Sequence, residues 1–263
     1  MENNDKGLQA QKAIEQKWHT ILVDTPDPQY LRTAYEELHL FYLCQKGFLY
    51  RRSLNFHDKV VLAVVGKGKK VLELGSGSGI LACALGKQGN KVLGLDVSSI
   101  AVEEGRKLAA RWGVAGRVQF IQGDAVHTGF AEASFDIVVS TSLIEHVHPS
   151  EIGYHFREVR RVLRPKGVYL LFTPNKYDGP SSLGMHLREW GFTEMRRLLE
   201  GHGFRSYWVE TRSARLGKPR LIPPKMLWIP DMLERVYVGL GCKRWLRPVV
   251  RPSVYFYAKK VST

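Results

Sequence analysis

Cysteine is scarce in this 263-residue chain: Cys44, Cys83 and Cys242 are odd in number and show no metal-ligand spacing. That excludes a disulfide-built scaffold and a thiolate metal centre. The three are expected to be ordinary buried side chains in a reducing, cytoplasmic setting. Long apolar runs are missing too, and nothing approaches the roughly 18–20 residues of a membrane span. The opening residues, MENNDKGLQAQK, lack the apolar core of a secretory signal. No internal repeat or low-complexity segment is present. Acidic residues are in short supply, 25 against 39 Lys and Arg, for a net charge of +14. The deficit is local: residues 71–150 carry 6 basic and 8 acidic side chains, whereas residues 211–263 carry 12 and 2. Such asymmetry speaks of a partner rather than of the fold.

An apolar content of 44% suffices for one large α/β domain with additions. The organising stretch is VLELGSGSG, residues 71–79. Val71, Leu72 and Leu74 read as a strand buried on both faces. Gly75, Gly77 and Gly79 then allow a sharp turn that brings backbone N–H groups close to a ligand. Ile80, Leu81, Ala84 and Leu85 follow with helical spacing. KVLGLD, residues 91–96, is a second strand whose terminal Asp96 lies 19 residues beyond Gly77, placed to accept the hydroxyls of a ribose. RVQFIQGD closes a third strand on Asp124, FDIVVS is a fourth ending at Ser140, and GVYLLF a fifth. Phe204–Glu210 and Ser253–Lys260 complete seven. The expected architecture is a Rossmann-like, seven-stranded, mostly parallel sheet with helices on both faces. Residues 1–66 form an N-terminal helical extension, residues 67–263 the main domain, and about 212–252 an insertion before the last strand.

The segment Glu73–Gly79, with the acids Asp96 and Asp124 closing the next two strands, resembles the motifs of class I S-adenosylmethionine (SAM) methyltransferases. The resemblance implies SAM as cofactor, held by Glu73, Gly75, Ser76, Gly77, Gly79, Asp96, Val97, Asp124, Ala125 and Ser140. Asp124 and the residue after it would hold the adenine. A NAD-dependent oxidoreductase is the rival on the same fold, but Ile80 stands where its third glycine belongs. A non-catalytic SAM binder is at odds with the intact loop and both strand-end acids.

SAM already carries a good leaving group, so alignment supplies much of the acceleration, and a base is needed only for a proton of high pKa. After the fourth strand the chain reads TSLIEHVHPS. Glu145 and His146 are similar to the E-x-x-E-H pattern of ubiquinone-type O-methyltransferases, in which both acids and the His are linked to a divalent metal. Here Ser142 replaces the first acid, so no metal site is expected; Glu145 and His146 are left as base or substrate contacts. His186, in a segment similar to the H-x-R-E stretch of related bacterial methyltransferases, is a further acid–base candidate, with a purely structural hydrogen bond as the alternative. The acceptor implied is a small or lipid-like molecule, methylated on oxygen. A nucleic-acid or protein substrate is the alternative the basic tail raises, but no N/D-P-P-Y or Pro-Cys motif supports nucleic acid. In the tail, Lys225, Arg235, Lys243, Arg244, Arg247 and Arg251 flank Trp228, Met232, Leu233, Val236, Tyr237 and Trp245. That mixture suits a peripheral contact with an anionic membrane through residues 225–251. The alternative is that the apolar face packs on the sheet and the charges are only solvated.

Overall fold

The structure, a computed structural model, describes residues 2–25, 27–46, 53–178, 185–210, 219–241 and 254–261. Cys242 and the tail residues Lys243, Arg244, Trp245, Arg247 and Arg251 lie outside them, as does the stretch 179–184. The central sheet runs β3-β2-β1-β4-β5-β8-β6-β7. Its members are β1 (Lys70–Leu74), β2 (Lys91–Asp96), β3 (Val118–Gln122), β4 (Phe135–Thr141), β5 (Leu163–Thr173), β6 (Phe204–Glu210), β7 (Arg220–Ile222) and β8 (Val254–Lys260). The first five are parallel, and β8 lies antiparallel between β5 and β6. The eighth strand, β7, lies inside the stretch read as an insertion. Three residues bracketed by Pro219 and Pro223 are too short to show strand alternation in sequence.

Alternation in the buried strands divides the core between two faces. Leu72, Leu74, Val138 and Leu171 face one apolar cluster, against α6 (Ile152–Val162) and α7 (Phe192–Gly201). Val71, Val139 and Leu170 face the other, with α3 (Phe56–Val65), α4 (Ile80–Lys87) and α5 (Ser99–Arg111). An Asn55–Asp58 capping box starts α3. Because Val60, Val61 and Val65 join the sheet's own core, α3 is packed with the sheet. The separate cover is the α1 (Glu2–Asp24) and α2 (Pro28–Lys46) pair. Trp18, Leu22, Ala34, Leu38 and Tyr42 from this pair cluster with Ala101 and Met185, over the carboxyl ends of the strands. Cys83 is buried as expected, but Cys44 is exposed, because it falls on the outer side of α2. No helix among the described residues is long and apolar enough to cross a membrane.

Strand order reverses between β1 and β4, so the loops after these strands flank a crevice, the usual ligand position in open α/β sheets. Here the loops touch: a Cβ on Gly75 would stand 3.0 Å from Leu143 Cδ1, and φ at Gly75 is +68°. Gly79, at φ +75°, lets α4 start against β3 and α5; its Cβ would lie 2.7 Å from Phe120 and 2.9 Å from the Gly105 Cα.

Candidate active site

The cofactor half is built around Asp96. Its carboxylate accepts the Gly77 N–H at 2.8 Å and the Ser98 N–H at 3.0 Å, tying the end of β2 to the glycine loop. The loop's Gly75 and Ser76 amides donate in turn to Leu95 O at 2.8 and 3.1 Å. Asp96 is only 6% exposed. Burial pushes its carboxyl up to about 6, in spite of the amide hydrogen bonds. Glu73 is buried at the end of β1, and Val97 follows Asp96, its carbonyl accepting from Gln122 Nε2 at 3.0 Å. Asp124 turns the chain by accepting the Val126 amide at 2.8 Å.

Ser140, which the resemblance implies at the cofactor, lies near the end of β4. It is fully buried, and its hydroxyl lies 2.7 Å from the Tyr169 hydroxyl. Tyr169 lies 3.0 Å from His155 Nε2, and His155 Nδ1 lies 3.0 Å from Ala125 O. Burial holds His155 down at about 4, so it is neutral. The carbonyl of Ala125 can only accept, which fixes every proton: Ser140 donates to Tyr169, Tyr169 to His155, and His155 to Ala125. Ser140 thus braces Ala125 from beneath rather than presenting its own hydroxyl to the crevice.

The expected acid–base residues are assembled from segments about forty residues apart. Glu145 and His146 lie on a single 3-10 turn after β4. The turn begins at Ser142, held at φ +54° with its amide on Phe172 O at 3.0 Å. Residues 185–188 dock onto it. Leu187 and Arg188 amides donate to Glu145 O at 2.8 and 3.2 Å, and His146 Nδ1 donates to Met185 O at 2.9 Å. His186 is thereby brought beside His146, ring centroids 4.9 Å apart. Its Nδ1 lies 2.9 Å from Glu189 Oε1, and its Nε2 lies 4.0 Å from Glu145 Oε1.

The Glu145 carboxyl is wholly buried. Oε2 accepts from Thr173 at 3.0 Å, while Oε1 has no hydrogen-bond partner. Burial pushes it up to about 8, only partly offset by hydrogen bonds, so it is protonated at neutral pH. His146 is pushed down to about 3, by burial first and by the His186 ring second. Its Nδ1–H is committed to a carbonyl, so its other nitrogen keeps a lone pair at any physiological pH. His148 instead bonds Ser150 Oγ at 2.7 Å and closes the turn.

Sequence reasoning missed two contributors, both of them long-range. Tyr35 on α2 sets its ring edge-on to His146, centroids 5.8 Å apart. Burial first, then the charges of Asp96 and Glu145, raises its hydroxyl well above the usual phenol range, which places it between the two halves. Glu36, beside it, caps α5, accepting from Ser98 Oγ at 3.0 Å and the Ser99 amide at 2.6 Å. Burial alone would raise Glu36; the hydrogen bonds from Ser99, Ser98 and Ile100 together hold it below the usual carboxylate range. Glu189 orients His186. In sequence, Tyr35 stands with Leu31, Ala34 and Leu38 at helical spacing, and nothing marks it for the site.

Metal-ligating atoms of Glu145, His146 and His186 lie within 4.8 Å of one another. Around a four-coordinate ion with bonds of about 2.1 Å, neighbouring ligands stand about 3.4 Å apart, so the trio would have to close. Two imidazoles and one carboxyl are also a poor set for magnesium, which favours oxygen ligands. The residues do not fit the two-acid metal site that the resemblance implied, and the chemistry below is derived without it.

A family model described as a methyltransferase domain matches residues 71–167. A probable SAM-dependent methyltransferase of Mycolicibacterium smegmatis is 32% identical over 170 residues, covering 62% of this chain and 61% of the relative. A fatty-acid O-methyltransferase of the same organism is 32% identical, covering 65% and 62%. A sterol 24-C-methyltransferase of Pneumocystis carinii is 29% identical, covering 52% and 38%. The chain therefore spans less than two thirds of the length of each of these relatives. In fold it is similar to the YcgJ protein of Bacillus, with a TM-score of 0.56 at 20% identity, covering 80% of this chain and 100% of that one. With the glycine loop, the strand-end acids and the strand order in agreement, the chain carries a class I SAM-dependent methyltransferase domain, whose cofactor is S-adenosylmethionine.

Proposed function

We propose that the protein transfers the SAM methyl group to a hydroxyl oxygen of a small or lipid-like acceptor held between Tyr35, His146 and His186. The observation that carries this reading is the histidine pair. Each Nδ1 is pinned, one by a carbonyl and one by a carboxylate, and the two rings meet beside a buried neutral Glu145. In the transfer, an electron pair on the acceptor oxygen forms the new O–CH3 bond while the methyl–sulfur pair leaves on sulfur, giving S-adenosylhomocysteine. The acceptor proton passes to an imidazole nitrogen. Glu189 stabilises the imidazolium where His186 receives it, the arrangement that suits a general base. Glu73, Gly75, Ser76, Gly77, Gly79, Asp96, Val97, Asp124 and Ala125 hold the cofactor in this reading, with Asp96 on the ribose hydroxyls.

Relatives named for fatty acids and sterols support an acceptor with substantial hydrocarbon, and we place the enzyme at a membrane surface for that reason. The test is His146→Ala. Removing a group that acts in the transition state lowers kcat by about 10²–10⁴-fold and leaves SAM affinity within about twofold. Equal kcat in wild type and a folded His146→Ala protein would reject a transition-state role for His146.

A further inference from the structure

The sequence places Met232, Leu233, Val236, Tyr237 and Leu240 on one apolar face, and the structure splits that face. In α8 (Trp228–Gly239), Pro230, Glu234 and Tyr237 turn inward, with Tyr237 fully buried. Trp228, Met232, Val236 and Leu240 are 61, 46, 41 and 47% exposed. Spaced by four, they make one continuous ridge along the outer side of the helix. Isolated exposed apolar residues need no explanation, but a ridge of four, one of them tryptophan, does.

The charges around it are sorted by sign. Residues 211–263 hold only two acids, Asp231 and Glu234. Both are used on the inner side. Glu234 accepts the Phe192 and Thr193 amides at 2.6 and 3.0 Å, capping α7, and Asp231 holds Arg196 at 2.7 Å. No acid of this stretch is left to face outward, while Lys225 and Arg235 are exposed beside the ridge. We propose that the outer ridge of α8 is a docking face for an anionic lipid bilayer, with Trp228 and Met232 entering the headgroup boundary and Lys225 and Arg235 meeting lipid charge. This deepens, and rests on, the reading of a lipid-like acceptor. Nucleic acid would use the charge but not the ridge, and a second copy of the chain would bring like charge against like.

The test is co-sedimentation of the full chain with phosphatidylcholine vesicles, with and without phosphatidylglycerol, alongside size-exclusion chromatography and SAM calorimetry. Wild type is expected to pellet only with the anionic vesicles, and less so as salt rises. Each charge lost from Lys225→Ser or Arg235→Ser weakens partition by roughly fivefold. Trp228→Ser/Met232→Ser weakens it at least tenfold, with SAM affinity unchanged as the control for folding. Wild type left in the supernatant with both vesicles overturns the proposal. So does unaltered pelleting of the Trp228→Ser/Met232→Ser protein, or a dimer that the same substitutions dissolve. Methylation of a detergent-dispersed lipid acceptor separates the two readings. Docking without methylation of any lipid leaves the docking face intact and removes the acceptor class, and methylation without docking does the reverse.

Discussion

Replacing Asp96 with Asn is expected to move stability and cofactor affinity in opposite directions. The carboxyl is 6% exposed and its pKa rises from 3.8 to about 6. At about 1.4 kcal/mol per pH unit, holding Asp96 ionised costs the folded protein roughly 3 kcal/mol. The sign follows from proton counting. Below pH 3.8 the group is neutral in both folded and unfolded chains and costs nothing. Between 3.8 and about 6 the folded state holds a proton that the unfolded state has released, so stability falls as pH rises. Above about 6 the whole cost is present. Asn keeps one oxygen for either the Gly77 or the Ser98 amide and gives up the other, a loss of about 1–2 kcal/mol. The net gain without SAM at pH 7.5 is therefore about 1–2 kcal/mol; it vanishes at about pH 5 and becomes a loss below that. The ribose hydroxyls lose a charged acceptor, so SAM affinity falls by roughly ten- to a hundredfold. In wild type, SAM affinity should also fall as pH drops below about 6, because the proton must leave before the carboxylate can accept both hydroxyls. Thermal denaturation and calorimetry from pH 4 to 8 follow all three quantities. A folded Asp96→Asn protein that is less stable at pH 7.5, or that binds SAM as wild type does, refutes the reasoning.

Glu189→Gln leaves His186 a hydrogen bond but no counter-charge, so kcat should fall about tenfold; an unchanged kcat makes Glu189 merely structural. Glu36→Ala frees the Ser98, Ser99 and Ile100 ends of α5 and unties α2. It should cost about 1–2 kcal/mol in denaturant unfolding. Because the Glu36 carboxyl is held low, that contribution is present at neutral pH and is lost as pH falls through its folded value. A chelator should leave turnover unchanged; loss of activity restored by zinc would recast Glu145, His146 and His186 as a metal centre.

The sheet and the cofactor loop were legible because their signals are local. VLELGSGSG and KVLGLD each put an apolar run, a turn and a strand-end acid within ten residues. At Ser140 the residue type at a strand end says nothing of the Tyr169–His155 chain that takes its hydroxyl. Helical period identified the apolar residues of α8 but not which of them pack, since Tyr237 inside and Val236 outside are neighbours in sequence. Tyr35 and Glu36 reach the site from more than sixty residues before Ser98, and His186 from forty residues after His146. Such meetings are set by tertiary packing, and no sequence spacing encodes them.

The central claim is methyl transfer to a hydroxyl oxygen, and the most direct measurement is the fate of the methyl carbon. Purified protein, SAM carrying a ¹³C-methyl group and a panel of hydroxylated lipid acceptors would be incubated and the products read by NMR. The account predicts a single O-methyl resonance together with S-adenosylhomocysteine, both formed at least about a hundredfold more slowly when His146 is alanine. Label appearing on carbon, or no label leaving SAM with any acceptor, would contradict it.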